Sequence, residues 1–160
     1  MGVDEAWHTL RDVPDPEIPV ISVVDLGIVR DIRENEGVLE VDLTPTYSGC
    51  PATQVIEDAV REALTEKGFE RFEITTVLSP PWSTEMISEE AKEKLRDYGI
   101  APPAQESIDK QALMGEPRMI VCPNCQSNNT KMVSQFGSTP CKAHFKCIDC
   151  LEPFDYFKCL

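Results

Sequence analysis

The chain has 160 residues and a formal net charge of −13, room for one medium domain or two small ones. The charge is uneven: residues 118–160 hold five Lys/Arg and three Asp/Glu, while the remaining 117 hold 10 and 25. So acidic a body repels phosphate and argues against nucleic-acid partners. No apolar run reaches the ~18–20 residues of a membrane span.

Met1-Gly2-Val3-Asp4-Glu5 lacks the basic start and apolar core of a secretion signal. Together with Cys-x-x-Cys spacing of thiols, that predicts a cytoplasmic protein.

In chain order, Val3, Ala6, Trp7 and Leu10 recur at helical spacing and predict a short amphipathic helix, stopped by Pro14, Pro16 and Pro19. Asp15-Pro16-Glu17-Ile18-Pro19 must turn or extend. Val20 to Val24 and Gly27 to Ile32 read as β-structure interrupted by a bend at Asp25-Leu26-Gly27. Asn35-Glu36-Gly37 is a turn signal, and Val38 to Thr44 alternates Leu39, Val41 and Leu43 with Glu40 and Asp42, predicting a hairpin with one wet face.

Ala52 to Lys67 is the clearest helix, with an apolar stripe of Ala52, Val55, Ile56, Ala59, Val60, Ala63 and Leu64 between Pro51 and Gly68. Phe72, Ile74 and Thr76 mark a third strand. Met86, Ile87, Ala91 and Leu95 mark a further helix ending at Tyr98-Gly99. The sum is an α+β domain over residues 1–100, a small mixed sheet with helices packed on it. A linker over 101–117 then leads to a separate unit, 118–160.

That last unit holds six of the seven cysteines. Cys122-Pro-Asn-Cys125 and Cys147-Ile-Asp-Cys150 are two hooks separated by 21 residues, the pattern of a tetrahedral thiolate site. The expectation is a zinc ribbon with one structural zinc per chain, held by these four cysteines. A unit this short buries little apolar surface, and a structural zinc supplies on the order of 10 kcal/mol toward folding it. Paired hooks also hold single iron in rubredoxin-like electron carriers, and Cys141 and Cys159 could add ligands to an iron–sulphur cluster. Glycine usually follows rubredoxin hooks, whereas Gln126 and Leu151 follow these. Phe145, Phe154, Tyr156 and Phe157 supply either the ribbon's core or a docking face.

Cys50 stands alone between the second strand and the best helix. At a helix head, a thiol is made more acidic by free N–H groups and the helix dipole, which suits a nucleophile or soft-metal ligand. Thr44, Thr46 and Ser48 offer hydroxyls around that turn, Gly49 allows close approach, and Asp15, Glu17 and Asp25 are acidic candidates to lie near it. Neither His8 nor His144 has partners at catalytic spacing, and no Ser-His-Asp order or phosphate loop occurs.

Asp15-Pro16-Glu17-Ile18-Pro19, Asp25-Leu26-Gly27-Ile28-Val29 and Leu43-Thr44-Pro45-Thr46 through Gly49-Cys50-Pro51 resemble, in order, the SufT-like family of iron–sulphur assembly factors (domain of unknown function 59). That resemblance covers about residues 5–80 and implies that Cys50 takes part in iron or cluster delivery. Pro81-Trp82-Ser83-Thr84-Glu85-Met86-Ile87-Ser88, Tyr98 to Pro103, Phe136 to Thr139 and Glu152 to Cys159 extend it. Nearly the whole chain resembles the PaaD family of the phenylacetyl-CoA epoxidase system. This implies aerobic phenylacetate degradation by a diiron oxygenase fed by a flavin and [2Fe–2S] reductase. Within it the family implies a non-catalytic maturation role, loading iron or an iron–sulphur cluster transiently into partner subunits. The implied partners are other subunits of that system or iron–sulphur assembly proteins. An open sheet edge also admits a homodimer.

Overall fold

Two compact units, Met1–Ala91 and Lys92–Leu160, make up the chain. The computed structural model describes residues 2–46, 49–102, 120–137 and 142–157. Most of the expected linker 101–117 lies outside them.

In the first unit, α1 (Val3–Arg11) carries Asp4 and Glu5 in its first turn and Arg11 in its last, each charge matched to the helix dipole. Its Ala6 and Leu10 are fully buried. Strand β1 (Val29–Asn35) pairs antiparallel with β2 (Val38–Leu43) through a two-residue turn, Glu36-Gly37. Both turn residues have positive φ, 50° and 76°, the backbone hand that matches strand twist. Helix α2 (Thr53–Lys67) returns the chain to β3 (Phe72–Thr76), parallel to β2. The result is a mixed sheet in the order β1-β2-β3.

Ile32, Leu39, Val41 and Leu43 from the strands and Ile56, Val60 and Leu64 from α2 are buried. Each such side chain is worth about 1.5–3 kcal/mol when fully withdrawn from water. The apolar stripe of α2 is narrower than expected: Val55 is 53% exposed. On the wet face Asp31 lies opposite Asp42 and Glu40 opposite Glu73. Arg33 bridges Asp31, Glu40 and Asp42, which offsets that repulsion, and its bonds to Asp42 and then Glu40 raise its pKa against desolvation.

Val20 to Val24 is not a strand. Asp15 Oδ1 accepts N–H bonds from Glu17 (2.9 Å) and Ile18 (2.8 Å), and Ser22 and Asp25 cap each other's backbone. These local bonds supply what a sheet neighbour would have supplied. Ile18, Ile21, Val23, Leu26 and Ile28 are 2% exposed or less. The apolar run therefore fills a buried turn rather than a strand.

Residues 80–88 lie across that turn: Trp82 Nε1 donates to Leu26 O (2.8 Å), Ser88 N to Asp25 O (3.1 Å) and Arg30 Nη1 to Pro80 O (3.0 Å). Met86 and Ile87 are not helical with Ala91 and Leu95, because a short 3-10 turn (Thr84–Met86) breaks off first. Ser88 Oγ then accepts from Ala91 N and opens α3 (Glu89–Asp97), where the division between the units falls.

The second unit contains a four-stranded sheet in the order β4-β7-β6-β5. Its strands are β4 (Ile100–Ala101), β5 (Thr130–Ser134), β6 (Lys142–Cys147) and β7 (Pro153–Phe157). Phe145 stacks on Phe154 at 5.8 Å and meets Tyr156 edge-on at 5.7 Å. With Phe157 they are at most 6% exposed, so these aromatics form the core. No helix among the described residues is long and apolar enough to cross a membrane.

Candidate functional site

The two hooks fold alike. Cys122 N bonds Ser127 O (2.9 Å) and Cys147 N bonds Glu152 O (3.0 Å), each closing a loop around its second cysteine. The residue after each hook takes a left-handed backbone, Gln126 at φ 63° and Leu151 at φ 65°. The conformation that glycine would supply is thus present without glycine, so residue type at these positions does not tell zinc from iron.

Four free thiols, Cys122, Cys125, Cys147 and Cys150, converge with their ligand atoms within 4.8 Å of one another. Cys125 Sγ lies 3.5 Å from Cys147 Sγ, and Cys122 Sγ 3.8 Å from Cys150 Sγ. A tetrahedron of ~2.3 Å metal–sulfur bonds has edges of about 3.8 Å. The cage therefore fits one tetrahedral metal ion, and disulfides are absent from it. Cys122 and Cys147 are buried under the aromatic core, whereas Cys125 is exposed.

Two of the crowded thiols are shifted in opposite directions. The Ser127 backbone lowers the Cys125 thiol, but desolvation and hydrogen bonds to the other three sulfurs outweigh it and push it up to about 12. The Glu152 backbone, against desolvation and with help from Asn124, brings Cys150 down to about 7. Asn124 Nδ2 stands 3.7 Å from that sulfur.

Sequence reading missed the brace between the hooks. Asp149, inside the second hook, accepts a very short bond from Ser127 Oγ and one from Asn129 Nδ2 (3.0 Å) just past the first. Ser127 Oγ also accepts from Asn129 N (3.0 Å). Ser127 and then Asn129 hold the Asp149 carboxyl below its usual range. Polar residues beside both hooks were the available signal, and only pairing of the hooks in space gives it meaning.

The other candidate is the loop from β2 to α2, at the carboxyl ends of two parallel strands, where α/β sheets commonly bind ligands. Thr44 is buried; its N–H bonds Ile28 O (2.8 Å) and its hydroxyl donates to Val77 O (2.7 Å). Val77 N bonds Leu43 O (2.7 Å), so Thr44 locks the two strand ends together. Its hydroxyl proton serves the frame.

Asp15 likewise serves its own turn, and Glu17 is half-buried beside it. Thr46 is half-buried; Gly49 is exposed at φ 80° with open space on its Cβ side. Cys50 is a half-buried free thiol. It is not the helix cap: Ala52 is, and α2 starts at Thr53, whose N–H bonds Cys50 O (3.2 Å). A turn through Pro51 separates the thiol from the helix. Tyr47, Ser48, Cys141 and Cys159 lie outside the described residues.

Comparison with known proteins follows this division. Residues 4–78 match the family model of an iron–sulfur cluster assembly protein, and residues 106–158 that of the PaaD zinc beta ribbon domain. An Escherichia coli (strain K12) protein, provisionally described as the D component of 1,2-phenylacetyl-CoA epoxidase, is 46% identical over 99% of this chain and 93% of its own length. The Staphylococcus aureus (strain USA300) Fe-S protein maturation auxiliary factor SufT is 42% identical over 50% of this chain and 92% of its own. A solved Bacillus anthracis structure of a domain of unknown function, DUF59, is 31% identical over 58% of this chain and 90% of that one, with a TM-score of 0.54.

Proposed function

This chain belongs to the PaaD family of the phenylacetyl-CoA epoxidase system, and on that footing we propose that it is an accessory protein of the oxygenase, handling iron or iron–sulphur clusters for its partner subunits. The observation that carries this reading is the fusion. An assembly-factor domain and a four-cysteine metal ribbon share one chain that matches its epoxidase relative almost end to end.

In this reading the ribbon is structural. Cys122, Cys125, Cys147 and Cys150 hold one zinc, whose bonding replaces the large core that a unit of this size lacks. Cys50 is the working thiol, a transient ligand for iron or a cluster in passage. Thr44 anchors the strand end before this loop, and Gly49, next to the half-buried thiol, is exposed with open space where a Cβ would stand, which leaves a partner room to approach. The chain itself turns nothing over, and its reduced thiols suit the cytoplasm.

The test is a Cys50→Ala strain. The variant should keep its fold and ribbon metal, while iron or acid-labile sulphide in the purified oxygenase and reductase subunits falls. Full partner occupancy in that strain would sink the role given to Cys50. Metal analysis of protein purified without oxygen separates the rival electron-transfer reading: iron with a thiolate charge-transfer band, in place of one zinc, would favour it.

A further inference from the structure

Strand β5 is an edge of the ribbon's four-stranded sheet, and every residue from Lys131 to Ser134 is exposed. An edge strand presents backbone N–H and C=O groups that can pair with another chain. This edge carries a charge at Lys131 and a register shift between Met132 and Ser134, two features that blunt an edge, and it also shows Met132 at 45%, Val133 at 60% and, just beyond it, Phe136 at 59% exposure. Those are three large apolar side chains in six residues of chain.

The charges here are also unbalanced. Lys131 sits directly opposite Lys146 on β6, and like charges so placed repel. Neither ammonium has an acidic partner among the described residues. Met132 pairs with the buried Phe145 and so belongs to the other face of the sheet. A strand added beside the regular part of β5, Thr130 to Met132, would therefore meet the apolar Met132 on one face and two cations on the other.

We infer that β5 is a docking edge for an extended segment of a partner protein in which acidic and apolar residues alternate. Backbone pairing would supply register, Met132 would take the apolar side chains, and Lys131 with Lys146 the carboxylates. A second copy of this chain is the poorer occupant, since β5 laid against β5 would crowd the lysines of both copies together. The inference deepens the proposed accessory role and rests on its claim that the chain docks onto partners. Its test reads docking without iron delivery: edge binding combined with full iron occupancy in the Cys50→Ala strain would end the role given to Cys50 and leave this surface standing.

The experiment is amide NMR of the full-length, metal-loaded chain titrated with a capped peptide of alternating valine and glutamate. An alternating valine and lysine peptide and a short single-stranded DNA serve as controls. The acidic peptide should shift amides of residues 130–136 and 146, and added salt should weaken binding. A Lys131→Glu/Lys146→Glu double variant with unchanged metal content and dispersion should lose about tenfold or more and prefer the lysine peptide. Scattered shifts, equal response to both peptides, or response to the DNA alone would overturn the inference. So would concentration-dependent dimerisation that shifts these amides and that the peptide cannot displace.

Discussion

Gly27 and Gly37 share a φ of 76° but differ in what surrounds them, so replacing each by alanine separates backbone strain from steric crowding. A Cβ at Gly27 would stand 2.6 Å from both Met86 Cβ and Met86 O, and 3.0 Å from Met86 C. Two of those atoms are backbone, held by the strap that Trp82 and Ser88 tie over the same turn. A Cβ at Gly37 would meet only Arg71 Nη1, at 3.9 Å, the mobile end of a long side chain.

Both replacements carry about 1–2 kcal/mol for a left-handed L-residue. Both recover about 0.4–1 kcal/mol from a stiffer unfolded chain. Gly27→Ala alone adds overpacking, typically about 1–3 kcal/mol. Gly37→Ala should therefore cost about 1 kcal/mol and Gly27→Ala about 2–4. At about 4–8 °C per kcal/mol for a domain of this size, the second should lower Tm by roughly 8–32 °C. Thermal unfolding followed by tryptophan fluorescence suits the test, because both tryptophans, Trp7 and Trp82, lie in the first unit and Trp82 bonds Leu26 beside the site. Equal Tm shifts for the two variants would refute the close approach of residue 86 to the turn.

Three further outcomes concern the ribbon. Asp149→Ala should reduce metal affinity about 10–100-fold in chelator competition while the four thiols remain, and an unchanged affinity would dismiss the brace. Cys122→Ser, or chelation of the wild type, should collapse the amide dispersion of β5 to β7 and leave the tryptophan signal of the first unit unaltered; a folded, metal-bound variant would contradict the four-ligand cage. Apparent metal affinity should climb with pH, since uptake displaces thiol protons. Cys150, near 7, adds to that slope only below neutrality, whereas Cys125, near 12, adds to it throughout, so a plateau in affinity just above neutral pH would contradict the crowding at Cys125.

Much of this protein was legible because its signals are local. Helix α1, the Glu36-Gly37 hairpin, the core line of α2 and the two hooks each rest on spacing within a few residues. Where reading failed, distant segments had intervened. Val20 to Val24 has strand composition but turns, because Asp15, Ser22 and Asp25 satisfy the backbone locally and residues 80–88 close over the result. Met86 and Ile87 carry helical spacing, yet Met86 is held against Gly27 and Ser88 starts the helix after both. Thr44, a candidate hydroxyl for the thiol loop, is recruited by Val77, 33 residues away.

Sequence alone determined which atoms could do chemistry here: four thiols at hook spacing, and one thiol in the loop between a strand and a helix. Residue type and short-range spacing fix the donors a site has. Tertiary structure decided how those donors meet. It set the hooks' sulfurs at tetrahedral distance, braced them through Asp149, withdrew Thr44 into the frame, and placed a turn between Cys50 and α2. Distances and partners between remote residues depend on the packing of whole elements, which composition and periodicity do not encode.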